Sequence, residues 1–173
     1  MMNNELVSKL VYLDASIFAG TVLLSDDEDK QCALLIKRIA NKEFAGYQFI
    51  TSKFTLIELA ELISRKETKD KAKAILFDIV YDPELPIDLI DPEPVHKTWG
   101  KRRYFDIDLL IAHLVNTALE YSIPGFDTIH AHTVMKINEK IIAVSKDRDF
   151  KRFQRITNVI DIVKASEFLD KYK

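Results

Sequence analysis

The sequence predicts a three-layer α/β/α domain built on a central parallel sheet. Short apolar runs alternate with longer segments whose apolar residues recur at helical spacing. The runs are continuous rather than alternating, which is typical of strands that are buried on both faces of a parallel sheet. With 173 residues, 47% of them hydrophobic, the chain suits one domain with a substantial core. We therefore expect a single domain over residues 1–173.

The apolar runs and the helical patterns give the expected order of elements. Strands are predicted at 10–13, 47–50, 87–90, 140–144 and 159–163. Helices are predicted from near Glu28 until Gly46 ends the helix, and at 51–65, 69–80, 107–121 and 124–138. Thr51 or Ser52 can cap the second of these helices, and Pro124 can open the last.

The segment 81–105 interrupts this alternation. It holds four of the five prolines and ends with the basic cluster Lys101, Arg102 and Arg103. A linker between domains would need enough chain on each side for two independent cores. We therefore favour an elaborated, proline-rich connection within one domain.

Composition excludes several classes of protein. The net charge of -2 argues against a chain that is basic throughout, although local basic patches remain compatible with it. Cys32 is the only cysteine, so no intrachain disulfide can form. We see neither a signal peptide nor an apolar stretch long enough to cross a membrane. A cytoplasmic protein without membrane contact is expected.

Four acidic residues lie at boundaries between predicted elements. Asp14 follows the first strand and Asp147 follows the strand 140–144. Ligands of open α/β sheets bind beyond the carboxyl ends of the strands, so both acids are expected at that edge. Glu58 and Asp127 lie on helices that are entered from the same edge. The four side chains can therefore converge.

Each acid alone has an ordinary structural explanation. Asp14 and Asp127 can cap a helix or interact with its dipole, Glu58 can be solvated, and Asp147 can belong to a turn. Together, however, four carboxylates repel one another unless a cation neutralises them. Oxygen donors of this kind suit Mg²⁺ or Mn²⁺. Such ions activate water and stabilise charge on a phosphodiester.

The segments VYLDAS, TSKFTLIELAEL, GFDTIHAHT and AVSKDRDF resemble, in order, the four motifs of PIN-domain nucleases, which include VapC-like toxins and related archaeal and bacterial proteins. The resemblance implies a parallel sheet flanked by helices, one or two bound Mg²⁺ or Mn²⁺ ions, and cleavage of single-stranded or structured RNA. By motif match, the catalytic and metal-binding acids are Asp14, Glu58, Asp127 and Asp147. Asp149 is an accessory or substitute ligand.

Neighbouring residues are assigned supporting roles. Ser16 and Ser145 match hydroxyl positions that can hydrogen-bond the acids or metal-bound water. His130 lies one helical turn from Asp127 and is expected to pack beside the acids or hydrogen-bond one of them, with a role as an acid or metal ligand left open. Phe150 and Phe153 are expected in the core. RNA phosphates are expected to contact some of the residues Lys146, Arg148, Lys151, Arg152, Lys101, Arg102 and Arg103.

The expected function is a metal-dependent endoribonuclease, with a toxin role, an antitoxin partner and a homodimer as further expectations from the resemblance. The long segment 81–105 and the unusual His130-Ala-His132 sequence depart from the compact toxin pattern. The alternative is a catalytically idle PIN-like module that binds RNA or a partner protein. A haloacid-dehalogenase-like phosphatase is disfavoured because Ser16 stands where its second aspartate would lie.

Overall fold

A computed structural model describes residues 9–65, 67–82, 85–90, 96–99, 102–105, 107–123, 127–147 and 149–172. No helix in these ranges is long and apolar enough to cross a membrane. The elements in chain order are β1 (Lys9–Leu13), α1 (Ala15–Leu23), α2 (Asp27–Ala40), β2 (Tyr47–Ser52), α3 (Lys53–Ser64), α4 (Lys69–Tyr81), β3 (Ile87–Ile90), β4 (His96–Trp99), β5 (Arg102–Phe105), α5 (Ile107–Tyr121), α6 (Asp127–Met135), β6 (Ile141–Val144), a 3₁₀ helix (Asp149–Arg155), β7 (Val159–Val163) and α7 (Ala165–Lys171).

The predicted parallel sheet is confirmed. Its five strands lie in the order β3-β2-β1-β6-β7, and every neighbouring pair is parallel. β1 is central, and its last residue, Leu13, pairs with Val144 at the end of β6. Because these strands end together, the residues that follow them, Asp14 and Ser145, emerge at the same edge of the sheet.

Alternate residues of β1 enter two separate apolar cores. Val11 and Leu13 belong to one cluster, which α1, α2, α3 and α7 cover, whereas Leu10 and Tyr12 belong to the other. The second cluster contains residues of α6 and of the 3₁₀ helix, among them Phe150. A strand buried on both faces reads as a continuous apolar run because each side of the pleat needs apolar side chains. The three-layer prediction is therefore confirmed.

The end of α2 differs from the prediction. The helix ends at Ala40 rather than at Gly46, because Lys42 adopts a left-handed conformation with φ 57°. The chain then turns Phe44 into the core, where its ring lies 5.6 Å from Phe49 and 5.5 Å from Phe168. Gly46, with φ 80°, serves instead in the turn that leads into β2.

Three other boundaries shift by a few residues. β2 continues to Ser52, whose hydroxyl accepts a hydrogen bond from the backbone N–H of Phe54 at 3.1 Å and so caps α3 as predicted. α6 ends at Met135 rather than at residue 138. Its predicted start at Pro124 lies outside the described residues. β6 begins one residue later than expected, at Ile141.

Several short elements were not predicted. The segment 81–105 contains β3, as expected, and also the antiparallel pair β4–β5. α1 was hidden because its sequence, ASIFAGTVL, continues the apolar run of β1. The 3₁₀ helix and α7 are each seven residues long, which is too short for a helical period to stand out.

A partly buried group of ion pairs joins the start of α2 to the loop after β6. Lys146 Nζ lies 2.6 Å from Asp29 Oδ1 and 2.7 Å from Asp26 Oδ2. Ser25 donates to Asp29 Oδ2 from both its backbone N–H and its hydroxyl, at 2.7 and 2.5 Å. Burial opposes ionisation of Asp29, but the hydrogen bonds from Lys146 and Ser25 outweigh it and lower the pKa of Asp29 to about 2.

We predict that Asp29 stabilises the fold above pH 4 and that this contribution is lost as the pH falls toward 2. A folded-state pKa below that of the unfolded chain has this sign, and the shift corresponds to about 2 kcal/mol in the free energy of unfolding. Urea unfolding between pH 6 and pH 2 should therefore show a weaker pH dependence for Asp29→Asn than for the wild type. Asp27→Asn, an exposed acid in the same helical turn, should retain the wild-type dependence; equal profiles for all three proteins would contradict the assignment.

Candidate active site

Asp14 is held by a set of hydroxyl groups at the carboxyl edge of the sheet. It is the N-cap of α1 and is 4% exposed, and its Oδ2 accepts hydrogen bonds from the backbone N–H of Ser16 at 3.2 Å and the Ser16 hydroxyl at 2.5 Å. The Ser145 hydroxyl donates to the same oxygen at 2.8 Å. Both serines therefore lie where the sequence expected them, against the first acid.

Glu58 approaches from α3. Its Oε2 lies 2.8 Å from Nε2 of His130 on α6. Asp14, Glu58 and His130 each offer a ligand atom, and these atoms all lie within 4.8 Å of one another. A side chain that directly follows β1 thus meets side chains from α3 and α6 at one point beyond the sheet edge.

Asp127 begins α6 beside the same point. Burial raises the pKa of its carboxyl, and the negative charges of Asp14, Asp147 and Glu58 raise it further, to about 6, although His130 acts in the opposite direction. Asp147 is exposed, and its backbone N–H donates to the Ser145 hydroxyl at 3.0 Å. Asp14, Glu58 and Asp147 therefore lie near enough to Asp127 for their charges to act on its carboxyl.

The donor set fits a hard divalent cation. Carboxylates concentrated in this way favour protonation of one member, and a bound cation would relieve the repulsion instead. The oxygen atoms of Asp14, Glu58, Asp127 and Asp147 are the donors that such a cation prefers. Asp149 begins the 3₁₀ helix, but its side chain lies outside what the structure describes.

The two histidines of α6 have different surroundings. His130 is fully buried and contacts Glu58 through Nε2 and the Tyr12 hydroxyl through Nδ1, at 2.5 Å. Burial opposes its protonation, yet the hydrogen bond to Glu58 and the nearby negative charges raise the pKa of His130. His132 is also buried, with its ring 5.8 Å from that of His113.

Tyr12 is a site residue that the sequence analysis missed. Its two-residue spacing from Asp14 on a strand was the available signal, because alternate residues share a face. A tyrosine inside a buried strand also requires a hydrogen-bond partner for its hydroxyl.

The basic residues predicted to contact RNA differ in whether their side chains already have partners within the protein. The ammonium of Lys146 forms ion pairs with the carboxylates of Asp26 and Asp29. Arg152 donates from Nη1 to the carbonyl of Ser122 at 2.8 Å. Lys151 is exposed. Lys101, Arg148 and the side chains of Arg102 and Arg103 lie outside the described residues.

A cavity of about 430 Å³ adjoins the acids. Ser145 and Asp147 form part of its lining, and Lys151 and Lys164 lie on its walls with Glu167. Lys164 was not predicted as a site residue, although it directly follows β7 at the active edge of the sheet, which was a usable signal. Phe150 and Phe153 are fully buried and stack with centroids 3.9 Å apart, so both belong to the core as expected.

Comparison with known proteins agrees with this architecture. A chain of the VapBC2 complex from Rickettsia felis, solved bound to a DNA fragment from the promoter of its genes, shares the fold with a TM-score of 0.55. The alignment covers 89% of this chain and 98% of that chain, at 16% sequence identity. No curated protein matches the sequence.

A family model supplies the assignment. The model described as the PIN domain matches residues 11–156, a range that includes all four acids of the cluster. Proteins of this family are generally nucleases. The match covers most of the chain, and the chain therefore belongs to the PIN domain family.

Proposed function

We propose that the protein is a metal-dependent endoribonuclease that hydrolyses RNA phosphodiester bonds. The observation that supports this most directly is the cluster of four acids, in which burial and then three neighbouring negative charges raise the pKa of Asp127. A catalytically idle member of the family would have no need for so costly a concentration of like charge. Membership of a family of nucleases supports the same conclusion.

The residues that would hold Mg²⁺ or Mn²⁺ are Asp14, Glu58, Asp127 and Asp147. When bound, such an ion supplies Lewis acidity that lowers the pKa of water and offsets charge on the phosphodiester. In the proposed hydrolysis, the oxygen of water attacks phosphorus in line and the bond from phosphorus to the 3′ oxygen breaks. The products would carry a 5′-phosphate and a 3′-hydroxyl.

The protein contributes fixed geometry to this reaction. Ser16 and Ser145 donate three hydrogen bonds to one oxygen of Asp14, which restrains its carboxylate before any ligand binds. Such preorganisation avoids the cost of ordering the carboxylate during the reaction. Asp147, which is exposed, would complete the site from the solvent side.

RNA would extend from the acids into the adjoining cavity. Its volume falls in the range of ordinary ligand sites. Among the described residues, the ammonium groups of Lys151 and Lys164 have no carboxylate partner, which distinguishes them from Lys146. We propose that both lysines contact phosphates of a nucleotide next to the cleaved bond.

An antitoxin partner is a separate part of the proposal. The structurally similar chain from Rickettsia felis comes from a VapBC2 complex. By analogy, a small protein that covers the acid cluster would keep this nuclease inactive.

A second copy of the chain is the proposed partner for α5. Ile111, Val115 and Leu119 recur at intervals of four residues and are 52%, 51% and 74% exposed. They form one apolar stripe along the helix. A homodimer that pairs these stripes would remove them from water.

The central prediction is that Asp14→Asn lowers RNA cleavage at least about 100-fold, because loss of a metal ligand removes several kcal/mol of transition-state stabilisation. Labelled RNA incubated with Mn²⁺ measures the rate, and EDTA should abolish it. Asp88→Asn alters an exposed acid that accepts a hydrogen bond from Gln48 away from the cluster, and should cleave normally. Cleavage that survives EDTA or the Asp14 substitution would refute the proposal, and absence of cleavage by the wild type would favour an idle binding module.

The cavity predicts a specific salt dependence. Single-stranded RNA binding, measured by fluorescence anisotropy with Ca²⁺ in place of Mg²⁺, should weaken as salt rises. Replacing Lys151 or Lys164 with Gln should reduce the slope of log affinity against log salt by about 0.7 for each lost phosphate contact. Lys140→Gln serves as the control, since Lys140 precedes β6 at the opposite edge of the sheet. A wild-type slope in both cavity variants would exclude the predicted contacts.

For the homodimer, sedimentation equilibrium of the wild type should give twice the chain mass of 20.0 kDa. Leu119→Lys should shift the protein to the monomer because it buries a charge in the apolar contact. Leu34→Lys, which changes an exposed leucine of α2, should leave the dimer intact. A monomeric wild type would overturn this assembly.

A further inference from the structure

We propose that Tyr12 is a positioning residue that fixes the carboxylate of Glu58 by acting through His130. The inference rests on the proposed function in one respect, since it takes Glu58 to be a metal ligand. It gives Tyr12, a residue inside the central sheet, a role in arranging the acids of the site. The observation behind it is a continuous chain of two hydrogen bonds from β1 to the acid cluster.

Tyr12 is held rigidly. Its side chain is fully buried in β1, and its ring stacks on Phe150 with centroids 6.5 Å apart. The imidazole of His130 meets the tyrosine ring edge-on at 5.9 Å. Because packing restrains the tyrosine ring from several directions, its hydroxyl is held in one position, and the hydrogen bond to that hydroxyl orients the imidazole of His130.

The direction of the two hydrogen bonds follows from the chemistry of the groups. An ionised carboxylate only accepts hydrogen bonds, so Nε2 of His130 must donate to Glu58. In a neutral imidazole, Nδ1 is then the acceptor, and the Tyr12 hydroxyl donates to it. In the neutral form Tyr12 thereby selects the tautomer that presents an N–H to Glu58, and in the protonated form, in which both nitrogens carry protons, Nε2 still donates to Glu58.

This arrangement assigns His130 to orientation rather than coordination. Both of its ring nitrogens already have partners, at 2.5 Å from Tyr12 and 2.8 Å from Glu58. Oε2 of Glu58 is anchored, which leaves Oε1 to face a cation. Partners of this kind, one step removed from a metal, set the orientation and affinity of its ligands.

The test measures Mn²⁺ binding by isothermal titration calorimetry, without reference to cleavage. Tyr12→Phe removes one hydroxyl and should weaken Mn²⁺ binding about 10- to 100-fold, as should His130→Ala. His130→Gln keeps an amide donor and should recover part of the loss. Tyr172→Phe is the matched control, because Tyr172 also donates to a carboxylate, that of Asp161 at 2.5 Å, but at the far end of the chain.

A double variant separates positioning from packing. If Tyr12 acts through His130, the affinity of Tyr12→Phe combined with His130→Ala should equal that of His130→Ala alone. Wild-type affinity in Tyr12→Phe, or additive losses in the double variant, would overturn the inference. Thermal unfolding identifies any variant whose fold is damaged.

The wild type provides a test that needs no variant. Electron spin-echo modulation of bound Mn²⁺ should show no coupling to a directly bonded nitrogen, whereas such a coupling would make His130 a ligand and overturn the inference. Failure of the proposed function would give another result. A wild type that cleaves no RNA but binds Mn²⁺ in a Tyr12-dependent way would refute the nuclease activity and support the positioning role of Tyr12. A wild type that binds no Mn²⁺ would overturn the role of Tyr12.

Discussion

Repulsion between carboxylates is the constraint around which this molecule is organised. Burial raises the pKa of Asp127, and the negative charges of Asp14, Glu58 and Asp147 raise it further, to about 6. Such a cluster lowers stability, and the cost is offset by two apolar cores that lie on either side of the central strand. Fixed donors nearby, above all the hydroxyls of Ser16 and Ser145, offset part of the charge locally.

The parallel sheet converts distant sequence positions into neighbours. Asp14 and Ser145 are 131 residues apart, yet they are joined at 2.8 Å because β1 and β6 pair in register and end together. Glu58 and Asp127 lie near the same edge because the helices that carry them, α3 and α6, begin there. Three lysines line the adjoining cavity, and Lys146 differs from Lys151 and Lys164 because it is bound to Asp29.

Much of the fold was accessible from sequence, because strands buried on both faces give continuous apolar runs and the acids follow them directly. The partners of individual side chains were not accessible. Tyr12 meets His130 across 118 residues, and Lys146 meets Asp29 across 117, so neither contact leaves a local pattern. The short elements were not predicted for another reason. α7 and the pair β4–β5 contain too few residues to show a helical or strand periodicity in the sequence.

The alternation of β1 links the assembly of the site to the correctness of the fold. Tyr12 points to one side of the pleat, toward His130, which lies near the Asp14 carboxylate, and Val11 and Leu13 fill the opposite core. A slip of one residue in strand pairing would exchange these sides, burying the carboxylate in an apolar layer and withdrawing the tyrosine from His130. The acid cluster can therefore form only in the native register, and a chain that pairs its strands incorrectly never brings these side chains together.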